Sequence, residues 1–134
     1  MAFDTTPGEQ LTRFVFDSGH LRSGAPRIKF NAFMPPDSGR LSVYWISGLA
    51  EPEVWNICAA HVTPIKGKPV RLRGDFSSLH VYASRLQVEV DGIPHKRHAN
   101  IVGWDTESTK RRLQALKLSE SAEPVEPVEP VESA

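Results

Sequence analysis

Residues 41–47 read LSVYWIS, and after Gly48 the chain continues LAEPEVWNICAAHVTP over 49–64 before the next apolar run begins at Val70. The first segment, rich in β-branched and aromatic residues, is expected to form a strand. In the second, Pro52 suits a first helical position, and Val54, Ile57, Cys58 and His61 fall at i, i+3, i+4 and i+7. That spacing predicts a helix, which Thr63-Pro64 should end. The interval 48–69 is the one gap between expected strands long enough to carry a crossover helix, so the other strands are expected to pair antiparallel. The fold class that follows is α+β: a small, mostly antiparallel sheet with one central short helix and one C-terminal helix.

Working outward, 11–17 (LTRFVFD) and 28–34 (IKFNAFM) read as strands, the second stopped by the turn cluster Pro35-Pro36-Asp37-Ser38-Gly39. The segments 70–76 (VRLRGDF) and 85–90 (RLQVEV) alternate apolar and polar residues as half-buried strands do, and Asp91-Gly92 supplies a turn. A last helix is expected over 106–118, with Asp105 as N-cap, Leu113, Ala115 and Leu116 inward, and Lys110, Arg111, Arg112 and Lys117 facing solvent. Residues 1–8 are expected to be a flexible N-terminus, and 9–118 a single domain. In 119–134 the triplet Glu-Pro-Val occurs three times from Glu123, so an extended, disordered acidic tail is expected there.

The 134 residues hold 16 basic and 16 acidic side chains, and the balance conceals a segregation. Residues 1–65 carry five bases and six acids, 66–117 eleven bases and five acids, and 118–134 five glutamates and no base. The expected body is therefore mildly basic and its tail acidic, and local charge governs the field within about 8 Å at physiological salt. No apolar run approaches the roughly 20 residues that span a bilayer, so no membrane association is expected. Cys58 is the single cysteine, which excludes an internal disulfide and multi-cysteine zinc sites, and a reducing, cytoplasmic setting is expected.

The P-loop, dinucleotide, GxSxG, HExxH and CxxC signatures are absent. His61-Val-Thr63 resembles half of a two-histidine phosphoesterase motif, but no second half stands at a workable spacing. Cys58 and His61, one helical turn apart, are read as structural, because Cys58 continues an apolar stripe. The segment 92–105, GIPHKRHANIVGWD, concentrates His95, Lys96, Arg97, His98 and Asn100 in six residues, and these are the candidate ligand-binding loop. Lysine and arginine contact phosphate, and histidine donates, accepts or shuttles a proton near neutral pH. His95 and His98 alone are too few for a metal site, and neither metal nor cofactor is expected.

RHANIVGWD followed by a basic helix, together with LTRFVF, AFMPP, LSVYWISGL and EPEVW, resembles a family of small bacterial proteins of no assigned activity. The likeness covers about residues 9–118 and implies a bacterial, cytoplasmic protein without adding a reaction. From the residues, the favoured reading is a non-enzymatic binding or accessory protein with a basic surface. Arg71, Arg73, Lys110, Arg111, Arg112 and Lys117 would contact nucleic acid or another polyanion through phosphate. A protein-binding accessory subunit, anchored by Trp45, Trp55, Trp104 and Tyr44, is the first alternative. The second is a small NAD-dependent enzyme, because the order Arg13, Ser42, Gln87, Glu89 resembles one branch of the ADP-ribosyltransferase superfamily. In that resemblance the arginine would hold the NAD phosphates and Glu89 the nicotinamide ribose.

Overall fold

A computed structural model describes residues 9–21 and 28–127, so the expected flexible stretch 1–8 and the end of the tail beyond 127 lie outside the described residues. Six strands form one sheet: Gln10–Val15 (β1), Leu41–Trp45 (β2), Leu72–Ser77 (β3), Gln87–Val90 (β4), His98–Val102 (β5) and Glu123–Val125 (β6). Their order is β4-β5-β2-β1-β3-β6, and every neighbouring pair is antiparallel. With the helices Glu51–Ile57 (α1), Thr63–Lys66 (α2), Ser78–Ala83 (α3) and Ser108–Ser121 (α4), this is the small α+β fold expected.

Because β1 is antiparallel to both β2 and β3, those two run the same way, and the helical stretch between them crosses over β1. That crossover begins where the sequence places it, with Glu53 Oε1 accepting the Ala50 N–H at 2.9 Å at the start of α1. Thr63-Pro64 does not end it. A wide π-helical turn over Cys58–Val62 intervenes, and α2 carries Pro64 in its own first turn before stopping at Gly67, whose φ of +71° suits glycine. The widened turn accommodates a proline that lacks an N–H and would crowd the preceding carbonyl in a regular helix.

Side chains alternate across the sheet and divide the core in two. On one face Leu11, Val15, Leu41, Val43, Phe76 and Ile101 pack with Val81 of α3 and with Ala115 and Leu118 of α4. Phe14 and Tyr44 point to the other face, where Val54, Ile57 and Cys58 of the crossover cover them. The Cys58 Sγ lies 3.6 Å from the Thr63 hydroxyl and burial pushes its pKa up, so it serves as a small apolar side chain there.

Three further expectations are corrected. Residues 28–34 form no strand of the sheet: Ile28 makes one bridge to Leu21, and Phe30–Phe33 coil into a 3-10 turn. Coiling sends adjacent Ala32 and Phe33 inward together, and Phe33 meets the Phe76 ring edge-on at 5.4 Å. The gap after β3 does hold a helix, because Ser77 Oγ accepts the Leu79 N–H at 3.1 Å and starts α3. α3 leads to β4 at the far side of the sheet. His98–Val102 is strand β5, between β4 and β2, where a loop was expected.

The tail, expected to be disordered from residue 119, is ordered through its first repeat. α4 begins at Ser108, after Asp105 Oδ1 has accepted the Glu107 N–H at 2.8 Å, and it runs to Ser121. Glu123–Val125 then pairs with Arg73–Asp75 of β3. Gly74 allows this approach, since a Cβ there would lie 3.2 Å from Ala122 Cβ and 2.6 Å from Ile28 Cδ1. Truncation after Ala122 is therefore expected to lower the melting temperature by about 4 °C, the effect of roughly 1 kcal/mol, relative to truncation after Pro127. Equal melting curves would show that β6 adds no stability.

Candidate active site

Antiparallel register sets Ser42 of β2 opposite Asn100 of β5, and Tyr44 opposite His98, with all four side chains on the crossover face. Asp91 follows β4 directly. From these positions a polar relay forms. His98 Nδ1 lies 2.6 Å from Asp91 Oδ1, and His98 Nε2 lies 2.6 Å from Ser42 Oγ. An ionised aspartate fixes the ring proton on Nδ1, which leaves Nε2 to accept from the serine hydroxyl. The order aspartate, histidine, serine matches that of a catalytic triad, which is recognised by geometry and roles whatever the fold.

Asp91 is itself held. Its Oδ2 accepts from Asn100 Nδ2 at 3.0 Å and its Oδ1 from the Ile93 N–H at 3.2 Å. Burial would raise its pKa, but the bonds from His98, the Ile93 amide and Asn100 outweigh that and hold it below the ordinary value. His98 is buried and packs edge-on against the Tyr44 ring at 5.1 Å, which fixes the imidazole plane. Burial, aided by the Cys58 and Asp91 charges, pushes the Tyr44 hydroxyl up to about 12.

Ser42 and His98 open into a cavity of about 250 Å³ whose walls include Arg13, Phe14, His61, Val62 and Lys66. Arg13 stands on β1 between Leu11 and Val15, in the middle of an otherwise apolar face. Its Nε donates to the Ala32 carbonyl at 3.0 Å and its Nη1 to the Ser42 carbonyl at 2.9 Å. Burial lowers its pKa to about 10, so it remains charged at neutral pH, with no carboxylate partner among the described residues. The His61 and His95 rings meet at 5.2 Å. Burial, followed by the charges of His61, Lys96 and Arg97, lowers the His95 pKa.

The five residues of the expected loop thus have different stations. His98 and Asn100 are buried on β5, within the relay. His95 accepts the Arg97 N–H at 3.0 Å through Nδ1 and so shapes the turn. Arg97 lies over the Trp45 ring at 4.1 Å and donates to the Ser47 carbonyl at 2.8 Å, which ties that turn to the end of β2. Lys96 is exposed.

The cations named for polyanion contact are not brought together. Arg73 is on the crossover side of β3 and the exposed Arg71 just precedes that strand, whereas α4 packs against the opposite face. Arg73 is buried, bonded to both Asp75 oxygens at 3.0 Å and to Glu51 at 2.6 Å, beneath the Trp55 ring. Burial would lower its pKa, but those carboxylates raise it overall. On α4, Arg111 donates to the Asp105 and Thr106 carbonyls, and Arg112 covers Phe30 at 5.2 Å. Lys110 and Lys117 are exposed.

Of the residues that resemble an ADP-ribosyltransferase, Arg13 and Ser42 share the cavity, but Gln87 and Glu89 are exposed on the edge strand β4 and do not line it. The aromatic anchors are engaged within the fold. Tyr44 is buried, Trp55 packs on Phe14 at 6.0 Å, and Trp104 Nε1 donates to the Ile101 carbonyl at 2.9 Å. Among the described residues no group of three or more histidine, cysteine, aspartate or glutamate side chains could hold a metal ion, and no helix is long and apolar enough to cross a membrane. No family model, curated protein or solved structure matches this chain.

Ser42 and Asp91 escape a motif search because they sit in ordinary strand and turn contexts. The alternation of His98 and Asn100 with Ala99 and Ile101 was the signal that could have moved the loop into the sheet and the two polar residues onto one face. The aspartate gives a pH test. Its ionised form is favoured by folding, so its stabilisation is complete above the ordinary value of 3.8 and is lost as pH falls through the lower folded value. Urea unfolding is expected to show wild type more stable than Asp91→Asn at pH 7, with the gap closing below about pH 4. A gap independent of pH would mean that the carboxylate charge is not what holds the relay.

Proposed function

We propose that this chain is a small serine-dependent acyl-transfer enzyme, acting as a hydrolase of short esters. The observation that carries this reading is the pair of 2.6 Å contacts linking Asp91, His98 and Ser42 at a cavity of about 250 Å³. Serine is a weak nucleophile by itself and is activated by an adjacent base that a third group orients.

In the first half-reaction His98 Nε2 takes the hydroxyl proton as Ser42 Oγ bonds to the ester carbonyl carbon. The tetrahedral adduct then collapses, the bond to the leaving oxygen breaks, and that oxygen departs with the proton from His98. Water repeats the sequence: it gives a proton to His98, attacks the acyl carbon and releases the carboxylic acid, while the proton returns to Ser42 Oγ. Asp91 is a positioning residue, keeping the Nδ1 tautomer and stabilising the transient imidazolium. Arg13, bonded to the carbonyl of the nucleophile's own residue and lining the same cavity, supplies a fixed positive charge near Ser42. Val62 and Phe14 form apolar walls, and Ile65 extends them at the mouth, 77% exposed.

A fluorophosphonate probe should label the full chain once, on Ser42, and Ser42→Ala should lose both the label and p-nitrophenyl acetate turnover while keeping the wild-type melting temperature. His98→Gln is expected to reduce kcat by about 10³-fold or more, since members of such a relay act as a unit. Labelling and hydrolysis that persist in Ser42→Ala would overturn the reading.

A further inference from the structure

The charge around the cavity is one-sided. Arg13 and Lys66 line it together with His61 and His98, and among the described residues no carboxylate does. The nearest acid in the relay, Asp91, stands behind His98 and spends its oxygens on His98, Asn100 and the Ile93 amide. Arg13 has only carbonyl partners. Lys66 forms no ion pair among the described residues, and its ammonium lies 6.0 Å from the centre of the Phe16 ring; its charge also acts on Asp17, a carboxylate that does not line the cavity and is paired with Lys68. Arg13 is a desolvated cation without a counter-ion among the described residues, which is unfavourable, so the empty volume beside it favours a ligand that brings a negative charge. A cavity of about 250 Å³ admits a short one.

We infer that the substrate carries its own anionic group, a carboxylate on a short acyl chain, which Lys66 and His61 receive at the cavity mouth while Ser42 meets the ester carbon further in. The acyl half of a dicarboxylic acid monoester has this shape, with two carbonyl carbons a few bonds apart. The division of labour separates two positive groups by role: Arg13 beside the nucleophile, Lys66 at the anion. Recognition of the substrate charge needs no turnover, although the assignment of its ester carbon to Ser42 rests on the serine reading above.

The test has a binding arm and a kinetic arm. Succinate is titrated into the full chain by calorimetry, with Lys66→Gln compared, and p-nitrophenyl hemisuccinate is compared with the neutral p-nitrophenyl butyrate. Lys66 is exposed, so its substitution should leave the fold intact. The expected result is succinate binding that weakens about tenfold in Lys66→Gln and fades as salt rises. A preference in kcat/KM for the hemisuccinate should shrink by a similar factor in the variant. Succinate binding without Ser42-dependent turnover would support the anion site and overturn the serine reading. Turnover of the neutral ester with no succinate binding, or binding untouched by Lys66→Gln, would overturn this inference and leave the serine reading standing.

Discussion

The ladder between β1 and β2 ends after two residue pairs, and a guanidinium takes over where backbone pairing stops. Arg13 reaches across the opening to the Ser42 carbonyl and at the same time holds the Ala32 carbonyl of the 3-10 turn. A continued ladder would satisfy that strand carbonyl without a side chain and would close the sheet. With the arginine in place, β1 and β2 part, the cavity forms in the gap, and the carbonyl that would otherwise be an unmet buried acceptor is satisfied. Ser42 is accessible because of this substitution of side chain for backbone. The same charge fixes the electrostatic sign of the cavity, so geometry and field have one origin.

A second cation secures the layer above. Arg73 of β3, gripped by Asp75 and Glu51 and covered by Trp55, pins the first turn of α1 to the sheet. Arg73 is the buried member of this group, so loss of Asp75 would leave its charge buried with only the exposed Glu51 as partner. The helical stretch that supplies His61, Val62 and Lys66 to the cavity is the continuation of that anchored helix. Two arginines that look alike in the sequence thus hold the floor and the roof of one site.

The hydrophobic pattern carried most of the architecture: β1, β2, β3 and β4, the crossover helix and the C-terminal helix all lie where periodicity puts them. What periodicity could not resolve was local. IKFNAFM alternates like a strand, yet Phe33 is needed beside Phe76, and coiling delivers it there. HANIV looked like a polar loop because His98 and Asn100 are costly to bury singly, and they are buried because they satisfy each other through Asp91. The site was legible only in pieces. His98 and Asn100 stood among the candidate ligands, Arg13 and Ser42 in a resemblance to another enzyme class, and Asp91 in a turn. Their convergence depends on the register of four strands, which no short motif encodes. Arg73 and Arg97 were read as surface charge, because whether a cation meets solvent or a carboxylate is decided by segments far away in the chain.

The short strand β6 has a bearing on how copies of this molecule can meet. Laid along β3 with Pro124 at its centre and glutamates on either side, it presents an outer edge short of donors and rich in negative charge, a poor template for a further strand. Among the described residues the other border of the sheet, β4, has no such cover. Among the described residues, backbone pairing between molecules is therefore disfavoured along β6 relative to β4, and two copies joined along β4 would use up that border on each.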